Sequence, residues 1–190
     1  MLQNSKVNNP LLAIVGMTGS GKSSIAHYLE RKGWHIIRFG GITMRELESR
    51  GLPVNETNER AVREELRETY GMDAFARLSL PEIEESLSNR PTVIDGLYSW
   101  AEYKFLRQHL GNRMKVVAIY TTRSVRYARL SQRMERPLTV EEAEQRDFAE
   151  IENVEKAGPI AIADYTIIND GSEAELLGAV DALLSTVAPG

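Results

Sequence analysis

Cysteine is absent from the 190 residues of this chain, which excludes disulfide bonds, thiolate metal sites and cysteine nucleophiles. An excess of positive charge is absent as well, because the net charge is -4 and the isoelectric point is about 5.5. Without a global positive field the chain is not expected to bind nucleic acid, and any anion site must be local. The three histidines, His27, His35 and His109, lack the spacing of metal ligands.

Long apolar runs are also lacking. The run from Leu11 to Val15 is far too short for the core of a signal peptide or for a membrane span. We therefore expect a cytoplasmic protein that does not contact a membrane. Internal repeats and Gly/Ser-rich linkers are missing too, which predicts a single domain over residues 1–190. The oligomeric state stays open between a monomer and a small homo-oligomer.

The sequence does contain a regular alternation of short apolar runs with amphipathic segments. Strands are predicted over 11–15, 35–39, 92–95, 114–120 and 165–168. Helices are predicted over 22–31, 43–51, 57–70, 73–88, 99–111, 124–135, 139–158 and 172–184, with an interruption near Pro81. Three of these starts carry capping-box patterns, at Thr43, Ser99 and Thr139. The alternation predicts an α/β fold with a mainly parallel sheet, whose ligands bind at the carboxyl ends of the strands.

One motif carries most of the chemical information. Residues Gly16 to Ser23 satisfy the pattern G-x-x-x-x-G-K-[ST] between a predicted strand and a predicted helix. Its glycines let successive backbone N–H groups converge on an anion, and the helix N-terminus adds partial positive charge. Lys22 can reach the β- and γ-phosphates, and Ser23 can coordinate Mg2+. The residues expected to hold the nucleotide are Gly16, Met17, Thr18, Gly19, Ser20, Gly21, Lys22, Ser23 and Ser24.

Asp95 ends the third predicted strand, where a carboxylate that helps to hold Mg2+ is expected in a protein with a phosphate loop. An aspartate at this point could instead cap the turn that begins with Gly96. The phosphate loop favours the metal role. The predicted cofactors are therefore ATP and Mg2+, with Ser23 and Asp95 as the metal-binding side chains.

Missing signatures narrow the class of nucleotide-binding protein. The guanine-binding pattern Asn-Lys-x-Asp of GTPases is absent, and Gly96 stands where motor-type ATPases usually carry a water-polarising glutamate. A kinase remains, and kinases must exclude water from the phosphates.

Arginines for that task are available. Arg126, Arg129, Arg133 and Arg136 recur at steps of three or four residues, so one helix would place all four on one face. A solubilising stripe on the surface is the alternative interpretation. Residues 59–68, by contrast, mix both signs of charge and are interpreted as mostly a solvated face.

Together these residues resemble the P-loop nucleoside-monophosphate kinase superfamily over most of residues 11–184. The order of the phosphate loop, Asp-Gly after strand three, Arg-Leu-x-x-Arg after strand four and a lid arginine is similar to adenylate kinase. The resemblance implies a three-layer kinase fold with a five-stranded parallel sheet, acceptor-binding helices at 43–88 and a short lid at 134–147. It also implies catalytic roles for Lys22, Asp95, Arg129, Arg133 and Arg146, with Arg129 and Arg133 in contact with ATP. Arg45 and Gly96 are expected to bind the acceptor.

The C-terminal part is similar to dephospho-CoA kinase, in the run from Leu138 to Ala143 and in Ala163 to Asn169. That likeness implies that the loop after strand five lies against adenine, with Asn169, Asp170 and Gly171 as base-contacting positions.

Both likenesses have gaps. The run Asp95-Gly96-Leu97-Tyr98-Ser99 lacks the arginine with which adenylate kinases grip AMP, and Phe39-Gly40-Gly41-Ile42 lacks the carboxylate with which dephospho-CoA kinases activate a hydroxyl. A phosphate acceptor is already ionised at neutral pH and needs no base, so the missing carboxylate favours a nucleoside monophosphate or another nucleotide-like acceptor. Two alternatives stay open. They are dephospho-CoA kinase-type transfer to a ribose hydroxyl and a regulatory protein that binds ATP without transferring phosphate.

Overall fold

Five parallel strands form the centre of the molecule. The computed structural model describes residues 9–134 and 136–187. Its strands are β1 (Leu11–Val15), β2 (His35–Arg38), β3 (Thr92–Asp95), β4 (Met114–Tyr120) and β5 (Tyr165–Ile168). They lie in the order β2-β3-β1-β4-β5, and every neighbouring pair is parallel. The predicted five-stranded parallel sheet is confirmed.

Nine α-helices occur in these described ranges. They are α1 (Lys22–Arg31), α2 (Gly40–Ser49), α3 (Glu56–Tyr70), α4 (Ala74–Leu87), α5 (Trp100–Leu110), α6 (Arg123–Ser131), α7 (Val140–Glu152), α8 (Ala157–Ala161) and α9 (Glu173–Val187). Successive residues of a strand face opposite sides of a sheet. Accordingly, Leu11, Ala13 and Val15 of β1 belong to a core with α2 to α5, while Leu12 and Ile14 belong to a second core with α1 and α9. The predicted three layers are thus present.

Two of the three predicted capping boxes start helices. The Ser99 hydroxyl accepts from the backbone N–H of Glu102 at the start of α5, and Thr139 caps α7 in the same way through Glu142. The prediction at Thr43 is wrong. Helix α2 begins at Gly40, and Thr43 is buried inside it.

Helix α4 is not interrupted at Pro81, contrary to the sequence prediction. It runs continuously from Ala74 to Leu87, and Ala76, Ser79 and Ile83 are buried on its inner face. Burial of that face against the sheet and α5 offsets the hydrogen bond that a proline removes.

The two helices of the lid region are shorter than predicted. Helix α6 ends at Ser131, because the chain turns back to pack Leu138 against Tyr127 and Leu130, with the Leu138 N–H bonded to the Leu130 carbonyl at 3.2 Å. The predicted end at Glu135 lies outside the described residues. Helix α7 ends at Glu152 rather than continuing to Gly158.

None of the helices in the ranges described above combines the length and apolar character that crossing a lipid bilayer requires.

Candidate active site

The phosphate loop lies between β1 and α1, at the carboxyl end of the central strand. Gly19 and Gly21 have backbone φ angles of 86° and 99°, in the left-handed region that favours glycine. Any side chain at Gly21 would also overlap the Asn169 amide. The backbone conformation of the loop therefore explains the glycines at positions 19 and 21.

Lys22, the first residue of α1, folds its side chain back over the loop. Its ammonium donates hydrogen bonds to the carbonyls of Gly16 at 2.6 Å and Met17 at 3.0 Å. Removal from water, followed by repulsion from the Lys156 ammonium, lowers the pKa of Lys22 to about 7. A neighbouring polyanion would reverse this shift, so the loop is electrostatically prepared for phosphate.

Asn169 and Arg129 support the loop from the side of β5. The buried Asn169 amide donates to the Ser20 carbonyl at 2.8 Å, while the Arg129 guanidinium donates to the carbonyls of Asn169 at 2.9 Å and Gly171 at 3.1 Å. The structure thus joins these three predicted nucleotide-binding residues to the phosphate loop. The Asn169 side chain faces Ser20 within the fold, which differs from the expected contact with a base.

The metal-binding side chains predicted from the sequence lie at the ends of neighbouring elements. Asp95 ends β3, whose register places it beside Ile14 of β1, and its charge acts on the Lys22 ammonium. Ser23 is exposed in the first turn of α1, and Ser24 follows it. Within the described ranges no three or more His, Cys, Asp or Glu side chains converge as a metal cluster. A hydroxyl and a single carboxylate fit Mg2+, which usually keeps several waters and binds phosphates beside one or two protein ligands.

Arg126 does not belong to a solvated or phosphate-facing stripe. Its guanidinium is buried and forms two hydrogen bonds with the Asp147 carboxylate, at 2.9 and 2.5 Å, and one with the Thr18 carbonyl at 3.0 Å. Arg133 and Arg136 lie beyond the end of α6, so the predicted four-arginine helix face is not formed. The pair of Arg126 and Asp147 instead ties α6 and α7 to the phosphate loop.

Two functional candidates, Glu150 and Lys156, had no distinctive signal in the sequence. The Glu150 carboxylate accepts hydrogen bonds from the Thr18 backbone N–H at 3.3 Å and from the Thr18 hydroxyl. It also pairs with the buried Lys156 ammonium at 2.7 Å. Glu155, with a φ angle of 54°, forms the turn that leads into Lys156. Although burial favours the neutral acid, the Lys156 ammonium holds the pKa of Glu150 below its ordinary value.

A cavity of about 450 Å3 opens from the phosphate loop towards α2 and α3. Thr18 and Lys22 form its loop end, and Arg146, Glu150 and Lys156 form its lid side. The opposite end is lined by residues of α2 and α3 and their surroundings: Gly40, Thr43, Met44, Glu56, Glu59, Arg63 and Arg67. Tyr98, Arg136 and Val154 complete the wall. Six of the lining side chains are cationic and three are carboxylates.

Four of the seven charged residues at 59–68 are exposed, as predicted, and the other three line the far end of this cavity. Glu59 is buried, and Arg63 and Arg67 are only partly exposed, so one side of α3 faces the cavity rather than solvent. Arg63 pairs with Glu56 at 3.0 Å and Glu59 at 3.3 Å. Arg136 reaches the same two carboxylates from the lid, at 3.8 and 3.6 Å. These ion pairs join the segment before α7 to α3.

Several predicted site residues do not line the cavity, including Asp95 and Arg129 as well as the three described next. The Arg45 side chain is 62% exposed and approaches Glu82 at 4.0 Å, Arg133 is exposed, and Gly96 is buried behind Tyr98. Arg146, in contrast, lies on the wall and its Nε is 3.5 Å from the Glu150 carboxylate.

Comparison with known proteins agrees with this geometry. A family described as AAA domain matches residues 12–152. A UPF0200 protein from Thermococcus gammatolerans is 33% identical, covering 95% of this chain and 96% of its own length. Another UPF0200 protein, from Pyrococcus furiosus, is also 33% identical, covering 95% of this chain and 98% of its own length. The chain belongs to the UPF0200 family. It is a P-loop NTPase, as the sequence motif predicted.

Solved structures show that this UPF0200 chain has the fold of the P-loop kinases. TT1252 from Thermus thermophilus has a TM-score of 0.67 and 20% identity, with 95% of this chain and 98% of that chain covered. A gluconokinase from Sinorhizobium meliloti has a TM-score of 0.59 and 17% identity, with 97% of this chain and 95% of that chain covered. Shikimate kinase from Acinetobacter baumannii, in complex with shikimate, has a TM-score of 0.57 and 22% identity, with 96% of this chain and 97% of that chain covered. The predicted kinase fold is confirmed.

Proposed function

We propose that this UPF0200 protein is a kinase that transfers the γ-phosphoryl group of Mg-ATP to a small anionic acceptor, with a nucleoside monophosphate or similar nucleotide as the leading candidate. One observation carries the proposal. The cavity of about 450 Å3 begins at the phosphate loop and continues to α2 and α3. Its volume falls in the range of small-molecule sites, so it leaves room for a second substrate beside the terminal phosphate.

On the donor side, the backbone N–H groups from Gly16 to Ser24 and the Lys22 ammonium hold the phosphates. The Ser23 hydroxyl and the Asp95 carboxylate would hold Mg2+, which would neutralise charge on the phosphate oxygens. Arg129 fixes the loop after β5 against the phosphate loop through its two carbonyl contacts. This arrangement restrains the donor before the acceptor enters.

On the lid side, Arg136 and Arg146 reach over the cavity from α7 and the turn before it. A kinase must keep water from the terminal phosphate, and cations that close over the site both exclude water and stabilise charge in transfer. Arg146 is partly exposed and only loosely paired with Glu150 at 3.5 Å, so it can turn towards a phosphoryl group. Arg133 takes part only if closure brings it in from its exposed position.

The charges of the cavity support an anionic acceptor, because six cationic side chains face three carboxylates. An acceptor phosphate needs positioning rather than deprotonation. The fold relatives include a gluconokinase and a shikimate kinase, so a hydroxyl acceptor that carries a carboxylate is the second candidate. In that case the Asp95 carboxylate, near the Lys22 ammonium, is the residue suited to take the hydroxyl proton.

A coupled assay of ADP formation tests the proposal. Nucleoside monophosphates, dephospho-CoA, gluconate and shikimate are each added to the protein with Mg-ATP. At least one acceptor should raise ADP formation above the rate with water alone, and Lys22→Met should abolish the increase. Lys32→Met, which removes an exposed lysine just after the same helix, is the matched control. ATP binding without stimulation by any acceptor would instead favour a regulatory protein.

A further inference from the structure

Arg67 differs from the other arginines of the cavity in having no described carboxylate partner. Arg63 and Arg136 pair with Glu56 and Glu59, and Arg146 pairs with Glu150. Among the described residues, no ion pair within 4.0 Å includes Arg67, and its buried Nε has no hydrogen-bond partner. A buried N–H group without a partner is costly. The Arg67 guanidinium therefore has at least one N–H donor available for a ligand.

The surroundings hold the Arg67 guanidinium in place at the end of the cavity. It lies over the Phe75 ring, 5.4 Å from the ring centre, in a cation–π contact. Burial lowers the pKa of Arg67, and the nearby Glu102 carboxylate only partly offsets that effect. Glu102 accepts through Oε2 from the backbone N–H groups of Tyr98 and Ser99 in the cap of α5, and it forms no described ion pair with Arg67 within 4.0 Å. An oxyanion in the cavity would supply the missing partner.

We propose that Arg67 is the residue that binds the anionic group of the acceptor, a role that the sequence had suggested for Arg45. This inference rests on the proposed function and names the chemistry of its second substrate. A guanidinium offers parallel N–H donors that match the two oxygens of a phosphate or a carboxylate. Glu59, held nearby by Arg63 and Arg136, is placed to accept hydrogen bonds from hydroxyl or amino groups of the same molecule.

Anion binding can be measured without catalysis. The donor site is first filled with Mg2+ and a non-hydrolysable ATP analogue, and calorimetry then follows titration with inorganic phosphate, AMP, gluconate or shikimate. Arg67→Met should weaken binding by about 10- to 100-fold, as expected for loss of a hydrogen bond to a charged group. Arg60→Met, at an exposed arginine of the same helix that pairs with Glu64, should leave binding within about twofold of the wild type.

The pattern across ligands identifies the source of the anion. Stronger binding of phosphate and AMP than of gluconate and shikimate assigns a phosphate, and the reverse order assigns a carboxylate. Arg67→Lys keeps the charge but loses the parallel donors, so intermediate affinity is expected, and this variant carries the test if Arg67→Met does not fold. Equal affinity in the wild type and both Arg67 variants, or no binding of any probe to the wild type, would overturn the inference. Anion binding that depends on Arg67 in a protein that forms no ADP would support the anion site and contradict the kinase.

Discussion

The Glu150 carboxylate of α7 binds both the backbone N–H and the hydroxyl of Thr18, inside the phosphate loop. A carboxylate in this position competes with a nucleotide phosphate for the same donor. The buried Lys156 ammonium, which pairs with Glu150, becomes available to phosphate when that carboxylate leaves. We therefore expect nucleotide binding to displace the Glu150 carboxylate from Thr18.

Glu150→Gln should bind ATP about tenfold more tightly than the wild type, because a neutral amide competes less well for the Thr18 N–H and leaves Lys156 unpaired. Calorimetry or fluorescence titration gives the dissociation constant. Glu152→Gln, at an exposed position of the same helix, is the control and should have no effect. Unchanged or weaker ATP binding in Glu150→Gln would contradict competition at the loop.

ATP binding should take up protons at pH 8 through Lys22. In the free protein the pKa of Lys22 is lowered to about 7, so the Lys22 side chain is neutral in most molecules at pH 8. Bound phosphates raise that pKa, and the ammonium regains its proton, giving an uptake of up to about 0.9 proton. Calorimetry in buffers of different ionisation enthalpy measures the uptake. Lys22→Arg stays protonated and should lack this contribution, whereas equal uptake in both proteins would assign it to other groups.

Asp147→Ala should lower the free energy of unfolding by about 3–5 kcal/mol, because it leaves the buried Arg126 charge without its partner. Urea unfolding with an unchanged m-value measures the loss. Glu144, on the same helix as Asp147, forms an exposed pair with Arg123 of α6. Glu144→Ala should therefore lower the free energy of unfolding by less than about 1 kcal/mol. Similar losses in the two variants would show that burial of the Arg126 pair has been misjudged.

Asn169→Ala should weaken ATP and GTP binding by the same factor, since its amide supports the Ser20 carbonyl rather than a base. The loss is expected to be about 1 kcal/mol, because the Thr121 hydroxyl also donates to that carbonyl. Dissociation constants for both nucleotides decide the point. A selective loss of ATP affinity would restore the base-contacting role inferred from the sequence.

The sheet and the phosphate loop could be predicted because their signals are local. β1 is a short apolar run followed at once by the pattern that begins at Gly16, and a glycine at position 21 is required by the backbone itself. The helix starts at Ser99 and Thr139 were predictable for the same reason, since a capping box spans only four residues. Such features need no knowledge of distant parts of the chain.

The side-chain contacts of α6 and α7 and of the far end of the cavity could not be predicted, because the tertiary fold determines them. Arg126 has the spacing of an exposed stripe but is buried by Asp147, twenty-one residues later in the chain. Arg63 and Arg67 stand in a segment of mixed charge that is typical of a solvated face, yet the fold turns one side of α3 towards the phosphate loop. The spacing of residues along a helix shows which of them share a face, but it does not show whether that face contacts solvent, another helix or a cavity.

The proposed kinase requires that a phosphoryl group move from the nucleotide to an acceptor held in the same cavity. Incubation with ATP labelled at the γ-phosphate, followed by chromatographic separation, tests it most directly, with the acceptor chosen from the anions that bind. The label should appear in the acceptor with the wild-type protein, and labelling should fall at least about tenfold with Arg67→Met or Lys22→Met. Label found only in ATP and inorganic phosphate, at the same rate with and without acceptor, would contradict it.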